Sequence, residues 1–133
     1  MSLEQALHQR WQDDAALTAL LPTARFVTGL AHGAPRLPYA TLKQLDSRPT
    51  IHTSSGTVVS QTTVRLSIWS SDLDAGQQIA TQADRVFNRS AFDCTLGRVL
   101  NMQRLHALDE AHADGAWRLA LDYVITHENQ PAS

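Results

Sequence analysis

The sequence predicts an α+β fold, a mostly antiparallel four- to five-stranded sheet with two helices packed on one face. Residues 62–69 and 117–125 alternate apolar and polar side chains with a period of two, as half-buried strands do. Residues 3–21 and 73–87 repeat their apolar side chains every three to four residues, as amphipathic helices do. Adjacent strands joined by loops and hairpins favour antiparallel pairing.

Length and composition predict one small domain over residues 1–133. The formal net charge is −2, and no cluster of basic side chains indicates recognition of a nucleic acid sequence. Cys94 is the only cysteine, so an intrachain disulfide is excluded and a reducing compartment fits. The sequence has neither a signal-peptide pattern nor an apolar stretch near the roughly 18 residues of a membrane span. We therefore expect no membrane association.

The N-terminal part of the chain predicts a helix followed by strands. The first helix is expected over residues 3–21 and ends at Pro22, because proline cannot continue the hydrogen-bond ladder. Trp11 lies on the apolar stripe of this helix and is interpreted as a core anchor. Residues 25–27 are a candidate edge strand. Residues 38–45 predict a strand that begins with proline, where the missing N–H is tolerated.

Residues 47–56 are rich in Ser, Thr and Pro and predict an exposed hairpin loop. The segment is longer than a tight hairpin needs, and long loops in compact domains tend to be functional or mobile. A partner contact and a solvated loop tip both remain open interpretations. Residues 1–2 and 128–133 are expected to be flexible tails.

The strand over residues 62–69 places two kinds of side chain on opposite faces. Its aliphatic side chains point one way, while Arg65, Ser67 and Trp69 point the other way. The second face is therefore part polar and part apolar. An exposed tryptophan on such a face predicts a surface that binds a partner.

The C-terminal half predicts a capped helix and two more strands. Ser71 and Asp72 are alternative candidate caps for the helix over residues 73–87. Gly76 lies on the apolar stripe and costs up to about 1 kcal/mol of helix propensity, so we expect it where the helix approaches the sheet closely. Residues 98–109 form a weakly patterned strand, and residues 117–125 form a strand predicted to be central.

No arrangement of residues indicates catalysis. Asp72 and Asp74 resemble the start of a calcium loop, but its twelfth position, which must be acidic, is Ala83. The six histidines form no H-x-x-x-H or H-E-x-x-H pair, and no phosphate-binding or G-x-S-x-G motif is present. We therefore expect a protein that is not an enzyme and has no cofactor or metal. An enzyme that uses Cys94 or a histidine pair is the least favoured alternative.

Several short features occur in a recognisable order. They are a helix ending in Leu20-Leu21, the segment 34–39 (Ala-Pro-Arg-Leu-Pro-Tyr) before a strand, the strand and turn at 64–72, and the C-terminal strand at 117–124. Over residues 3–126 this layout resembles the tail completion proteins of long-tailed phages, prophages and gene transfer agents. These proteins are also described as tail terminators or head–tail joining proteins.

The resemblance implies a structural protein that is assembled in the host cytoplasm and becomes part of the virion. It implies a homo-oligomeric ring, commonly of six subunits, at the head-proximal end of the tail. Such a ring stops growth of the tail tube, so its partners are further copies of the chain, the tail tube protein and the head connector protein. The family provides no catalytic residues to carry over.

A closed ring needs head-to-tail contacts between two different, complementary patches of each subunit. We assign one candidate patch to the second sheet face and the other to the predicted hairpin. The candidate interface residues are Trp69, Arg65 and Ser67 on the sheet face and Pro49, His52, Ser54 and Ser55 in the hairpin. The alternative function is a small α+β ligand-binding module without catalysis, with a pocket lined by Trp11, Trp117 or Phe87.

Overall fold

The computed structural model describes residues 3–28, 37–52, 58–94, 97–111 and 115–129. They form a six-stranded sheet and three α-helices, and the helices pack on one face of the sheet. The predicted α+β class with a mostly antiparallel sheet is confirmed. No helix among these residues is long and apolar enough to cross a membrane.

In the described residues, two α-helices precede the first three strands and a third α-helix precedes the last three. The helices are α1 (Leu3–Asp13), α2 (Ala15–Leu20) and α3 (Leu73–Phe87). The strands are β1 (Phe26–Thr28), β2 (Tyr39–His52), β3 (Val58–Ser70), β4 (Ser90–Cys94), β5 (Gly97–Ala111) and β6 (Trp117–Asn129). Their order in the sheet is β1-β2-β3-β6-β5-β4. Among the described strands, only β1 and β2 pair in parallel, and β6 is central as predicted.

The first predicted helix is interrupted at Asp14, which starts a second helix. The Asp14 carboxylate accepts a hydrogen bond from the backbone N–H of Leu17 at 2.8 Å and caps α2. The apolar stripe continues across this break, because Trp11, Leu17 and Leu21 are all buried. Three helices rather than the two predicted therefore cover the sheet.

Aromatic side chains join the helices to the sheet. Trp11 is fully buried, meets the Phe26 ring edge-on with a centroid distance of 4.4 Å, and lies 6.4 Å from the Phe87 ring. Its indole Nε1 donates a hydrogen bond to the carbonyl of Leu21 at 2.9 Å. Phe87 in turn lies 6.3 Å from the ring of Tyr123 on β6. Trp11 is thus the core anchor that the sequence predicted.

Helix α3 has the bounds that its apolar period predicted. The Asp72 carboxylate accepts from the backbone N–H of Asp74 at 3.2 Å, so Asp72 is a cap. A Cβ atom at Gly76 would lie 2.7 Å from Leu119 Cδ1 and 3.2 Å from Ser70 Cβ. A side chain there would therefore force its neighbours to move, which explains the glycine.

Strand β2 is longer than predicted, and the loop assignment was wrong for residues 47–52. These residues pair with β3, as Ser47 with Thr62 and Pro49 with Ser60, across two irregularities of register. The hydrogen bonds of this ladder outweigh the low strand propensity of Ser and Pro. The side chains of residues 43–50 are exposed, as expected for the segment. Residues 53–57 lie outside the described part of the chain.

The remaining differences concern the chain after α3. Strand β6 continues through Glu128 and Asn129, which were predicted to belong to a flexible tail. Residues 1–2 and 130–133 lie outside the described part. Strand β4 was not predicted, and it pairs with the start of β5 over residues 97–102.

Candidate functional site

The sheet face opposite the helices carries a connected set of polar and aromatic side chains. The register pairs Arg65 with Asp122, Ser67 with Ala120, and Trp69 with Arg118 across β3 and β6. Strand β2 adds Tyr39 beside Trp69, and β5 adds His106 beside Asp122. We define the open face by Tyr39, Arg65, Ser67, Trp69, His106, Arg118, Ala120 and Asp122. The alternation of β3 and β6 predicted this placement of Arg65, Ser67 and Trp69.

Asp122 is the centre of an ion-pair network on the open face. Its side chain is only 4% exposed. Arg65 donates two hydrogen bonds to it, from Nε to Oδ1 at 2.8 Å and from Nη2 to Oδ2 at 3.0 Å. His106 Nε2 lies 2.7 Å from Asp122 Oδ2. A buried carboxylate with a bidentate arginine is satisfied and holds that arginine in a fixed orientation.

The same contacts decide the charge of Asp122. Hydrogen bonding to Arg65 is the main reason why the pKa of Asp122 lies below its usual value, and it outweighs burial, which acts in the opposite direction. The hydrogen bond to Asp122 likewise raises the pKa of Arg65. The pair is therefore ionised at neutral pH.

Trp69 forms an aromatic cluster at one end of the open face. Its ring stacks on Tyr39 with a centroid distance of 6.0 Å and an interplanar angle of 14°. The guanidinium carbon of Arg118 lies 5.9 Å from the centroid of the Trp69 ring, within the range of a cation–π contact. Arg118 also reaches Ser67 Oγ at 3.4 Å and Glu110 Oε2 at 3.8 Å. Trp69 remains half-buried, so part of the ring faces outward.

The described candidate residues of the predicted hairpin lie apart from the open face. Pro49 and His52 belong to β2, whereas Ser54 and Ser55 lie outside the described residues. Pro49 is ten residues along β2 from Tyr39, which corresponds to about 33 Å of extended strand. The structure therefore brings Arg65, Ser67 and Trp69 together and separates Pro49 and His52 from them.

Sequence reasoning missed the partners of Arg65 and Trp69. Asp122 is the only charged residue in the otherwise apolar run of residues 119–125, and a carboxylate in that position usually needs a partner when buried. That signal indicates a buried ion pair but does not identify Arg65 or His106. Tyr39 could be connected with Trp69 only once the register of β2 and β3 was known.

Two other features bear on the alternatives of metal chemistry and ligand binding. Within the described ranges, no group of three or more His, Cys, Asp or Glu side chains could hold a metal ion. Two surface cavities border α3, one of about 320 Å³ beside α1 and one of about 540 Å³ beside α2, and both are lined mainly by polar side chains. Neither is lined by Trp11, Trp117 or Phe87, the residues that the ligand-binding alternative requires.

The network around Asp122 predicts that acid destabilises the fold. The pKa of Asp122 is lower in the folded protein than its ordinary value of 3.8. The ionised carboxylate therefore stabilises the fold at pH values above 3.8, and this stabilisation is lost as the pH falls through the pKa of the folded protein. We expect Asp122→Asn to reduce the free energy of unfolding by about 1–3 kcal/mol at neutral pH, because Arg65 loses a charged partner. Between about pH 5 and pH 2 the variant should lose less stability than the parent.

Urea unfolding at several pH values measures both effects. Asp46→Asn removes an exposed carboxylate from β2 and is the matched control, which should follow the parent at every pH. If the free energy of unfolding of Asp122→Asn had the same pH dependence as that of the parent, the ionisation of this carboxylate would not contribute to the loss of stability in acid.

The chain is similar to known proteins over nearly its whole length. A chain from the virion of a native gene transfer agent (GTA) particle has the same fold, with a TM-score of 0.74 over 96% of each chain and 16% sequence identity. No curated protein sequence matches the chain. The family described as Tail completion protein gp17 matches residues 5–128, which include nearly all of the three helices and of the sheet, and the whole open face. The chain therefore belongs to the tail completion protein family, whose members are structural proteins of the phage tail.

Proposed function

We propose that this protein forms a homo-oligomeric ring, of six subunits, at the head-proximal end of a phage tail. The ring ends the growth of the tail tube and joins the tube to the head connector. The family match over residues 5–128 is the observation that carries this proposal. The similarity of fold to a chain of a gene transfer agent virion supports it.

This function needs binding surfaces and no chemistry. We propose that the protein is not an enzyme and acts without a cofactor or a membrane. Its partners are further copies of itself, the tail tube protein and the head connector protein. Assembly takes place in the host cytoplasm, and the finished ring remains in the virion.

The open face has the properties of a subunit interface. Aromatic and arginine side chains are enriched at protein interfaces, and Trp69 stacks there between Tyr39 and Arg118. The bidentate contact of Arg65 with Asp122 holds the neighbouring part of the face rigid. A rigid surface loses less side-chain entropy when a partner binds.

A second patch is required because a ring is built from unlike, head-to-tail contacts. The far end of β2, with Pro49 and His52, supplies one about 33 Å along the strand from Tyr39. We retain Ser54 and Ser55 as candidate contacts because they follow directly in the sequence. Two patches at distant ends of one strand can contact two different neighbours.

Mass measurements over a range of concentrations test self-assembly. We expect a monomer of 14.6 kDa in dilute solution and, at high concentration, a product of about six times that mass. A product of defined mass indicates a closed assembly, since an open filament grows without limit. A monomer that persists up to millimolar concentration would contradict the proposal.

A further inference from the structure

Two long strands of the sheet extend beyond their outer neighbours. Strand β1 pairs with β2 only over residues 40–42, so no described strand covers the outer side of residues 43–52. At the opposite side of the sheet, β4 pairs with β5 only over residues 97–102. The Asn88 side chain accepts from the backbone N–H of Arg104 at 2.9 Å. The uncovered part of β5 therefore starts at residue 105.

We term residues 43–52 the β2 edge and residues 105–111 the β5 edge. A strand without an outer neighbour presents backbone N–H and C=O groups that can pair with another chain. Soluble proteins usually protect such edges. Here both edges are long, which makes them candidates for binding.

Exposed leucines are concentrated on these two edges. Leu45 is 40% exposed, Leu105 is 53% exposed and Leu108 is 54% exposed. The other exposed large hydrophobic side chains in the described part of the chain, Leu20 and Leu37, are less exposed, at 38% and 36%. Leu45 and Leu105 also occupy the irregularities of register in β2 and β5. Apolar side chains collected at a strand edge indicate a surface that a partner covers.

The positions of the two edges favour a head-to-tail contact. The edges lie on opposite sides of the sheet, because β2 and β5 are separated by β3 and β6. They also lie at opposite ends of it: the β5 edge is at the end where Tyr39 pairs with Trp69, and the β2 edge is at the other end. A contact between unlike edges of successive copies therefore repeats in one direction, as a ring requires.

Strand direction is compatible with this contact. Each of the pairs β2–β3, β3–β6 and β6–β5 is antiparallel, so β2 and β5 run in opposite directions within one copy. Two copies in the same orientation would therefore bring a β2 edge and a β5 edge together as antiparallel strands. The two edges are offset from each other along the strand direction. Strands that tilt relative to the ring axis accommodate such an offset, as strands do in closed barrels.

We propose that the β2 edge of one copy adds antiparallel to the β5 edge of the next copy, so that neighbouring sheets become continuous. This inference rests on the proposed ring and adds an edge contact between subunits to the open-face contact proposed above. The charges are complementary: the β2 edge carries Lys43, Asp46 and Arg48, whereas the β5 edge carries Asp109 and Glu110.

One register opposes a charge of each edge and also two exposed leucines. With Lys43 opposite Glu110, an antiparallel pairing places Leu45 opposite Leu108. Lys43 pairs with Arg65 and Glu110 pairs with Arg118 within one copy, so both lie on the side of the open face. The two exposed leucines would then cover one another in the contact.

Disulfide cross-linking tests this register. The variant Leu45→Cys/Leu108→Cys is prepared with Cys94→Ser, which removes the native thiol. Directly opposed residues of antiparallel strands have Cα atoms about 4.5–5.5 Å apart, within the range that a disulfide spans. Oxidation of the assembled protein is expected to give a covalent ladder of several copies, because each subunit is linked to two neighbours.

The control is Leu45→Cys/Gln78→Cys with Cys94→Ser, because Gln78 is exposed on α3 and lies away from both edges. It is expected to give no ladder. Hydrogen exchange of the unmodified protein is a second measurement that needs no variant. Amides of both edges should exchange at least about tenfold more slowly in the assembly than in the monomer.

Each outcome supports or overturns the edge contact. A ladder together with protected edge amides supports it. Rings whose edge amides exchange as in the monomer overturn the edge contact and leave the proposed function standing. Covalent dimers from Leu45→Cys alone indicate a two-fold contact between like edges and overturn it. Absence of any assembly overturns the proposed ring, and the edge contact with it.

Discussion

Trp11→Ala is expected to reduce the free energy of unfolding by about 3–5 kcal/mol. The side chain is fully buried and contacts Phe26 and Phe87, so its removal leaves a cavity in the core between helices and sheet. The carbonyl of Leu21 also loses the hydrogen bond from the indole. Because single domains of this size are stabilised by only about 5–15 kcal/mol, such a loss removes a large part of the total.

Urea unfolding of the parent and the variant measures this loss. Leu20→Ala is the control, since Leu20 is exposed on neighbouring α2, and it should change the free energy of unfolding by less than about 0.5 kcal/mol. A Trp11→Ala variant as stable as this control would show that the core does not depend on Trp11.

Trp69→Ala is expected to impair assembly while the fold remains intact. Trp69 is half-buried and lies on the open face, away from the core cluster. Removal of a central interface aromatic typically costs about 2 kcal/mol or more of binding free energy, which corresponds to roughly thirtyfold weaker association. Loss of its stacking on Tyr39 should cost the monomer about 0.5–1.5 kcal/mol beyond the loss of its half-buried apolar area.

Mass measurements at matched concentrations and urea unfolding separate the two effects of Trp69→Ala. Leu20→Ala again serves as the control, because Leu20 lies on the helical side of the molecule and should not affect assembly. Assembly at the parental concentration would exclude Trp69 from the interface. A loss of several kcal/mol in monomer stability would instead make Trp69 part of the core.

The sequence predicts best those elements whose large apolar side chains lie mainly on the side that faces the core. Strands β3 and β6 and helix α3 each present one face to the core, so the period of their apolar residues is clear. The middle of β5 is different, because the side chains of residues 103–109 are exposed on both faces. No alternation of apolar and polar residues can arise there, which explains the weak pattern of that strand.

The length of β2 could not be predicted from its composition. Residues 47–52 are stabilised in a strand by pairing with β3, and such pairing depends on the fold more than on local preference. The break between α1 and α2 depends on the contact of Asp14 with Leu17, and an aspartate within an apolar stripe does not by itself reveal that it is a cap.

The open face was predictable one strand at a time. Alternation placed Arg65, Ser67 and Trp69 on one side of β3. Their partners required the register between strands, which the sequence does not contain. His106 also follows an irregularity of register in β5, and an extra residue in a strand reverses the side to which later side chains point. The contact of His106 with Asp122 therefore could not be predicted from the sequence.

Electron microscopy of the concentrated, negatively stained protein tests the proposed ring most directly. Averaged images should show closed rings with one fixed number of subunits, six by our proposal. Concentrated protein that appears only as monomers, or as open filaments of varying length, would contradict assembly into a closed ring.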